Sequence, residues 1–181
     1  LAAAYAAGDR RKAVTVLDIE AYKVANPALN ITYQVAPYQN TGLYNQKYLP
    51  RKGETSGQVE LNYSNNFRTI RYADVLLMAA TAFNKWGNDL KEQTYLHLVR
   101  RRAFGDLLHD ITATGTALYD AILAERRLEL AMEGERFFDL VRTGKAASVL
   151  GTLGFVAGKH ELFPIPQGEV DLAGLTQNPG Y

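Results

Sequence analysis

From about residue 67 onward, hydrophobic positions recur at intervals of three and four; before it they follow no regular interval. Such spacing places side chains on one face of a helix. Tyr72, Val75, Leu76, Ala79, Phe83 and Trp86 share one face, and Gly87 and Asn88 end that run. Tyr95, Leu98, Val99 and Arg102 line a second helix, and so short a connection makes an antiparallel hairpin. Thr116 is placed to cap a third. Along it, Ala121, Ala124, Leu128, Ala131, Phe138 and Val141 form one stripe, and Leu123, Leu130 and Phe137 another. Two stripes mean burial on more than one side, and Gly134 marks a break. The pattern predicts helices over residues 71–86, 90–103 and 116–133. Pro164, Pro166 and Pro179 predict a mainly extended segment over residues 160–181.

The first 66 residues read differently. Pro27, Pro37, Gly42, Pro50, Gly53 and Gly57 punctuate them, and Tyr22, Tyr33, Tyr38, Tyr44, Tyr48 and Tyr63 recur between the breaks. Residues 13–19 and 31–35 read as short strands. Each tyrosine has two readings: its ring packs the loop onto the helices, or it faces outward as a flat surface for a sugar ring. On the second reading Tyr38, Tyr44 and Tyr63 are the stacking candidates, with Asn40, Asn45 and Gln46 as hydrogen-bonding neighbours. Long irregular segments in a compact fold commonly carry function.

Composition narrows the classes. The chain has 181 residues and a net charge of +1, with eight basic and five acidic side chains in residues 1–70 and twelve and fourteen after them. Neither part has the basic bias that a nucleic acid partner requires. There is no cysteine, so disulfides, thiolate metal sites and cysteine nucleophiles are excluded together. No apolar run approaches the ~20 residues of a membrane span. Leu1 to Ala7 lacks the basic flank of a signal peptide and reads as part of a helix within a longer protein.

The densest motif is residues 125–144, ERRLELAMEGERFFDLVRTG. Arg126 and Glu129, Glu133 and Arg136, and Arg136 and Asp139 are each three apart, the spacing of neighbours on a helix. Interleaved arginines hold carboxylates charged. This favours a buried structural ion-pair network of Arg126, Glu129, Glu133, Arg136 and Asp139 over the facing acids of a glycosidase. His97, His109 and His160 are scattered and lack zinc-helix spacing, so no metal and no cofactor is expected. Residues 154–160 fall one residue short of a phosphate loop and lack its strand–helix context. Arg100, Arg101 and Arg102 point in different directions on a helix, and the expectation is one buried ion pair with two solvated side chains.

Five blocks in order carry a resemblance: residues 71–78 (RYADVLLM), 98–103 (LVRRRA), 125–144, 162–167 (LFPIPQ) and 177–181 (QNPGY). With weaker signposts at Asp9-Arg10 and over residues 42–49, they resemble the C-terminal half of the SusD/RagB family. Thr81, His97 and Glu135 depart from that family's usual residues. The resemblance implies an all-α fold of tetratricopeptide-like helix pairs with a long irregular segment. Residues 1–66 would be loop-rich and ligand-facing, and residues 67–181 a helical scaffold with an extended tail.

It further implies a non-catalytic lipoprotein on the outer face of the outer membrane, its lipid anchor lying outside this chain. Such a protein captures an oligo- or polysaccharide and delivers it to a SusC-like TonB-dependent transporter. A RagB-like peptide binder and, from another class, a helical-repeat adaptor are the alternatives. An outward-facing ring pair favours glycan, and a long apolar groove favours peptide.

Overall fold

The computed structural model describes residues 1–33, 41–49 and 65–181. The chain forms two compact units, residues 1–133 and 134–181.

The first unit begins with a 3-10 turn at Ala2–Ala4, not the expected α-helix, after which the buried Tyr5 hydroxyl donates to the Leu128 carbonyl at 2.9 Å. Then come α1 (Lys12–Thr15), β1 (Val16–Asp18) and α2 (Ile19–Ala25), whose N-cap Asp18 accepts from the Ala21 N–H. The expected strand at residues 13–19 is therefore a three-residue strand between two short helices. Its partner is β2 (Leu43–Asn45), antiparallel in the register Val16 to Asn45, Leu17 to Tyr44 and Asp18 to Leu43. Bonds from Gln46 N to Thr15 O and from Ile19 N to Gly42 O extend the ladder at both ends. Residues 31–33 have no regular structure, and the rest of the expected second strand lies outside the described residues.

The three long helices are α3 (Tyr72–Lys85), α4 (Asp89–Phe104) and α5 (Gly115–Glu129), close to the expected spans. Gly87 takes a left-handed φ of 72° at the first turn, and Asn88 caps α4 by accepting from Lys91 N. Gly105 ends α4 at φ 83°. A side chain there would be strained by that left-handed φ and would also displace the end of the flexible Arg10 side chain. Thr114, not Thr116, stands at the N-cap of α5.

The core is Leu76, Leu77, Ala80, Leu96, Val99, Leu118 and Ile122, drawn from all three helices. Burying a leucine or isoleucine of this kind contributes roughly 1.5–3 kcal/mol. The buried face of α3 is not the expected one. Asp74, Leu76, Leu77 and Ala80 turn inward, while Tyr72, Val75 and Trp86 are exposed. Apolar residues nearly encircle this helix, so α4 and α5 select which arc is covered. On α4 the buried set is Glu92, Leu96, Val99, Ala103 and Phe104, and Leu98 and Arg102 face outward. The third helix ends four residues earlier than expected, because Met132 and Gly134 take φ values of 66° and 94°.

The second unit holds α6 (Arg136–Arg142), α7 (Ala146–Leu150), a 3-10 turn at Gly151–Leu153 and α8 (Gln167–Ala173). The break at Gly134 is as expected; α8 is not. Pro166 precedes its first residue and Gly174 ends it at φ 61°, so the proline that suggested an extended tail instead launches a helix. The segments flanking α8 are irregular. The Gln177 amide brackets Ile165, accepting from its N–H at 2.7 Å and donating to its carbonyl at 2.8 Å. Asn178 donates to the Phe163 carbonyl at 2.7 Å, and Lys159 covers Gly180 and sets its ammonium 4.5 Å from the Tyr181 ring centre.

Candidate functional site

A cleft of about 810 Å³ opens in the first unit. Its lining is mixed: Val14, Leu17, Ile19, Tyr22 and Leu49 contribute apolar surface from α1, β1, α2 and the segment after β2, and Gln46, Lys47, Arg68, Arg71 and Arg102 contribute polar groups. The most deeply buried of its charged residues, Arg11, Glu129 and Glu133, form its floor.

That floor belongs to a continuous ion-pair network. Glu125 and Glu129 sit one turn apart on α5, both nearly without exposure. Arg11 grips Asp9 through two bonds of 2.9 and 2.7 Å and reaches Glu125 at 2.5 Å and Glu129 at 3.1 Å. Arg100 donates to Glu125 at 2.6 Å. Glu129 also receives Arg71 at 3.0 Å and Arg102. Arg71 then holds Glu133 bidentately at 2.6 and 2.8 Å, and Lys47 donates to the same carboxylate at 2.5 Å. Lys47 and Arg71 also cap the free Glu129 carbonyl at the end of α5, at 2.7 and 2.9 Å. Four segments far apart in sequence are thus tied to one helix terminus.

The electrostatics follow from this geometry. Burial pushes the Asp9 carboxyl up, but the hydrogen bonds from Arg11 outweigh it and leave it below the ordinary value. Burial acts on Glu133 in the same sense, and Arg71 and Lys47 together bring it below the usual carboxylate range. Burial also lowers Lys47, an effect Glu133 only partly offsets. Glu133, on the cleft floor, is therefore a charged acceptor rather than a proton donor. Removing one partner from a network of this burial costs roughly 3–5 kcal/mol.

The five residues expected to form this network have different surroundings. Arg126 and Glu129 are buried, and Glu133 has a nearly covered side chain. Arg126 donates to Asp74 at 2.6 Å, a partner 52 residues away, instead of relying on its helical neighbour. In the second unit Asp139 is buried and accepts from Arg142 at 2.6 Å, while Arg136 is half-buried rather than largely buried. Of the three consecutive arginines, Arg100 makes the expected buried pair with Glu125, and Arg101 and Arg102 are solvated as expected but also reach Asp110 and Glu129. Glu125 and Glu129 draw their cations from other segments.

Of the ligand candidates, Tyr38, Asn40 and Tyr63 lie outside the described residues. Gln46 lines the cleft. Asn45 donates to the Met132 carbonyl at 3.4 Å and accepts from Lys47 N at 2.9 Å. Tyr44 meets Tyr33 edge-on, 6.1 Å between ring centres at 85°. The Tyr33 hydroxyl donates to Glu20 and is pushed up to about 12 by that bond. Tyr22, Lys47, Arg68 and Arg102 also line the cleft but were not singled out as ligand residues. The sequence signal for Lys47, Arg68 and Arg102 is their position in or beside the blocks at residues 42–49, 71–78 and 98–103, and for Tyr22 its place among the recurring tyrosines.

The model of the SusD family matches residues 17–153. "SusD-like protein P38" of Formosa agariphila is 37% identical over 126 residues, which make up 64% of this chain and 25% of that protein. Among solved structures, a "Laminarin binding SusD-like protein" is 41% identical with a TM-score of 0.79, covering 96% of this chain and 36% of that one. Surface glycan-binding protein A from Bacteroides thetaiotaomicron in complex with laminarihexaose is 32% identical with a TM-score of 0.77, covering 98% and 39%. The chain thus spans about a quarter of the curated relative and under half of the solved ones. It belongs to the SusD family.

Proposed function

We propose that this chain is the C-terminal part of a non-catalytic glycan-binding protein of the outer cell surface, held there by a lipid anchor outside the chain. It captures an oligo- or polysaccharide and delivers it to a SusC-like TonB-dependent transporter. The observation that carries the binding reading is the cleft's mixed apolar and polar lining. Sugars present C–H faces that pack on apolar surface such as Leu17, Ile19 and Tyr22, and hydroxyls that need hydrogen-bonding partners such as Gln46, Arg68 and Arg102. Arg68 is exposed and has no ion-pair partner among the described residues, so its donors are available. Two relatives carry laminarin or laminarihexaose in their descriptions, which makes a β-glucan the first ligand to try. The charged state of Glu133 supports the non-catalytic part, since glycoside hydrolysis needs one acid held protonated.

Calorimetric titration with laminarihexaose tests the reading. Saturable binding is expected, weakened about tenfold by Tyr22→Ala or Arg68→Ala with the melting temperature unchanged. Binding of a peptide mixture in place of every glycan tried would move the assignment to peptide uptake. Release of reducing ends from laminarin, abolished by Glu133→Gln, would overturn the non-catalytic part. Recovery of a TonB-dependent transporter with the tagged protein from outer-membrane extract tests the delivery step.

A further inference from the structure

The turn between α3 and α4 displays an aromatic group distant in sequence from the segments that give the cleft its apolar surface. Trp86 is 80% exposed and Leu90 beside it 76%. The Phe83 ring lies within 6° of the Trp86 plane, with centres 6.1 Å apart, and within 5° of the Tyr95 plane, with centres 5.5 Å apart. Three rings from two helices are therefore nearly parallel, and at these separations parallel rings are displaced into a stepped surface instead of covering one another. The contrast with Tyr33 and Tyr44, which meet at 85°, is direct. Perpendicular rings satisfy each other edge to face, whereas parallel displaced rings leave faces available.

The rim is polar. The Lys91 ammonium lies 5.0 Å from the Phe83 ring centre. The Asn88 side-chain oxygen caps α4, while its N–H groups have no partner among the described residues. Flat rings with hydrogen-bond donors around them suit the alternation of C–H faces and hydroxyls on a pyranose. A protein partner would need a patch far wider than three rings.

We propose that Trp86, with Phe83 and Tyr95 behind it, forms a second glycan-stacking surface on this chain. It takes the face of a sugar unit in a polysaccharide also engaged by the cleft. This rests on the glycan reading above and extends it: two sites on one chain raise the retention of a long polymer through effective concentration.

Trp86 is the only tryptophan in the chain, so its emission reports on this surface alone. The chain is titrated with laminarihexaose and with laminarin while heat and Trp86 fluorescence are followed in parallel. The expected result is a saturable shift of the emission, with protection from acrylamide quenching, that persists in Tyr22→Ala. Trp86→Ala should keep its melting temperature and lose about threefold to tenfold in retention on a laminarin affinity gel. Heat of binding without any change at Trp86 would leave the glycan reading standing and overturn this surface. The absence of both signals would overturn the two together. Unchanged gel retention of Trp86→Ala, or an emission shift that follows protein concentration without glycan, would also refute it.

Discussion

Two buried glutamates on neighbouring helices meet opposite fates. Glu129 on α5 has a side chain only 2% exposed and is held by Arg11, Arg71 and Arg102. Glu92 on α4 is completely buried, yet among the described residues one oxygen accepts only from the Asn84 amide, at 3.0 Å, and the other has no hydrogen-bond partner. Burial raises the Glu92 carboxyl above the usual range, and the nearby Asp89 charge adds to this. The same side chain at the same depth is thus the hub of three ion pairs in one place and a group drawn toward its neutral form in the other. Burial favours the neutral acid, and among the described residues no cation opposes it at Glu92.

The hub should be the harder of the two to lose. Glu129→Ala leaves three guanidiniums facing an empty site, and the expected loss is roughly 3–5 kcal/mol in urea unfolding. A loss below about 1 kcal/mol would show that the network contributes little and that the comparison is false. Arg11→Ala should cost a similar amount, because Asp9, Glu125 and Glu129 all depend on it.

Glu92→Gln should act in the opposite direction and more weakly. At pH 8 the amide removes a buried, incompletely paired charge, and a gain of about 1 kcal/mol is expected. The pH dependence separates Glu92 from Glu133, which shares Arg71 with Glu129. The folded Glu92 carboxyl lies above its unfolded value of 4.5, so its contribution is complete below that pH and is lost as pH rises through the folded value. Glu133 lies below its unfolded 4.5, so its contribution is complete above that pH and is lost as pH falls through the folded value. Stability curves should therefore lose their alkaline-going decline in Glu92→Gln and part of their acid-side decline in Glu133→Gln. If either variant keeps the wild-type curve, the role assigned to that acid is wrong.

The smallest effect is expected at Glu20, a fourth acid, bonded to the Tyr33 hydroxyl at the surface. Glu20→Gln should leave the melting temperature unchanged, since exposed pairs are weak. It should still return the Tyr33 ionisation from about 12 toward the ordinary 10.0, a shift readable by NMR of the ring carbon. An unmoved titration would show that the bond does not form in solution.

What the amino-acid sequence determined by itself is what local chemistry decides. The helical hairpin, its stop at Gly87 and Asn88 and the break at Gly134 follow from periodicity and from backbone conformations that glycine adopts at least cost. Within residues 125–144 the spacing pointed to ion pairs, but Arg126, Glu129 and Glu133 take partners from other segments and Arg136 is only half-buried. Tertiary structure decided the rest. Apolar residues nearly surround α3, so only α4 and α5 could choose Leu77 and Ala80 for the core and leave Trp86 in water. The charge pattern of α5 could not name Arg11, Lys47 and Arg71 as its partners, which lie 58 to 118 residues away in sequence. Nor could it assemble Tyr22, Gln46 and Arg68 around one cleft. Such pairings depend on which segments meet in space, and a one-dimensional pattern of charge and hydrophobicity carries no record of that.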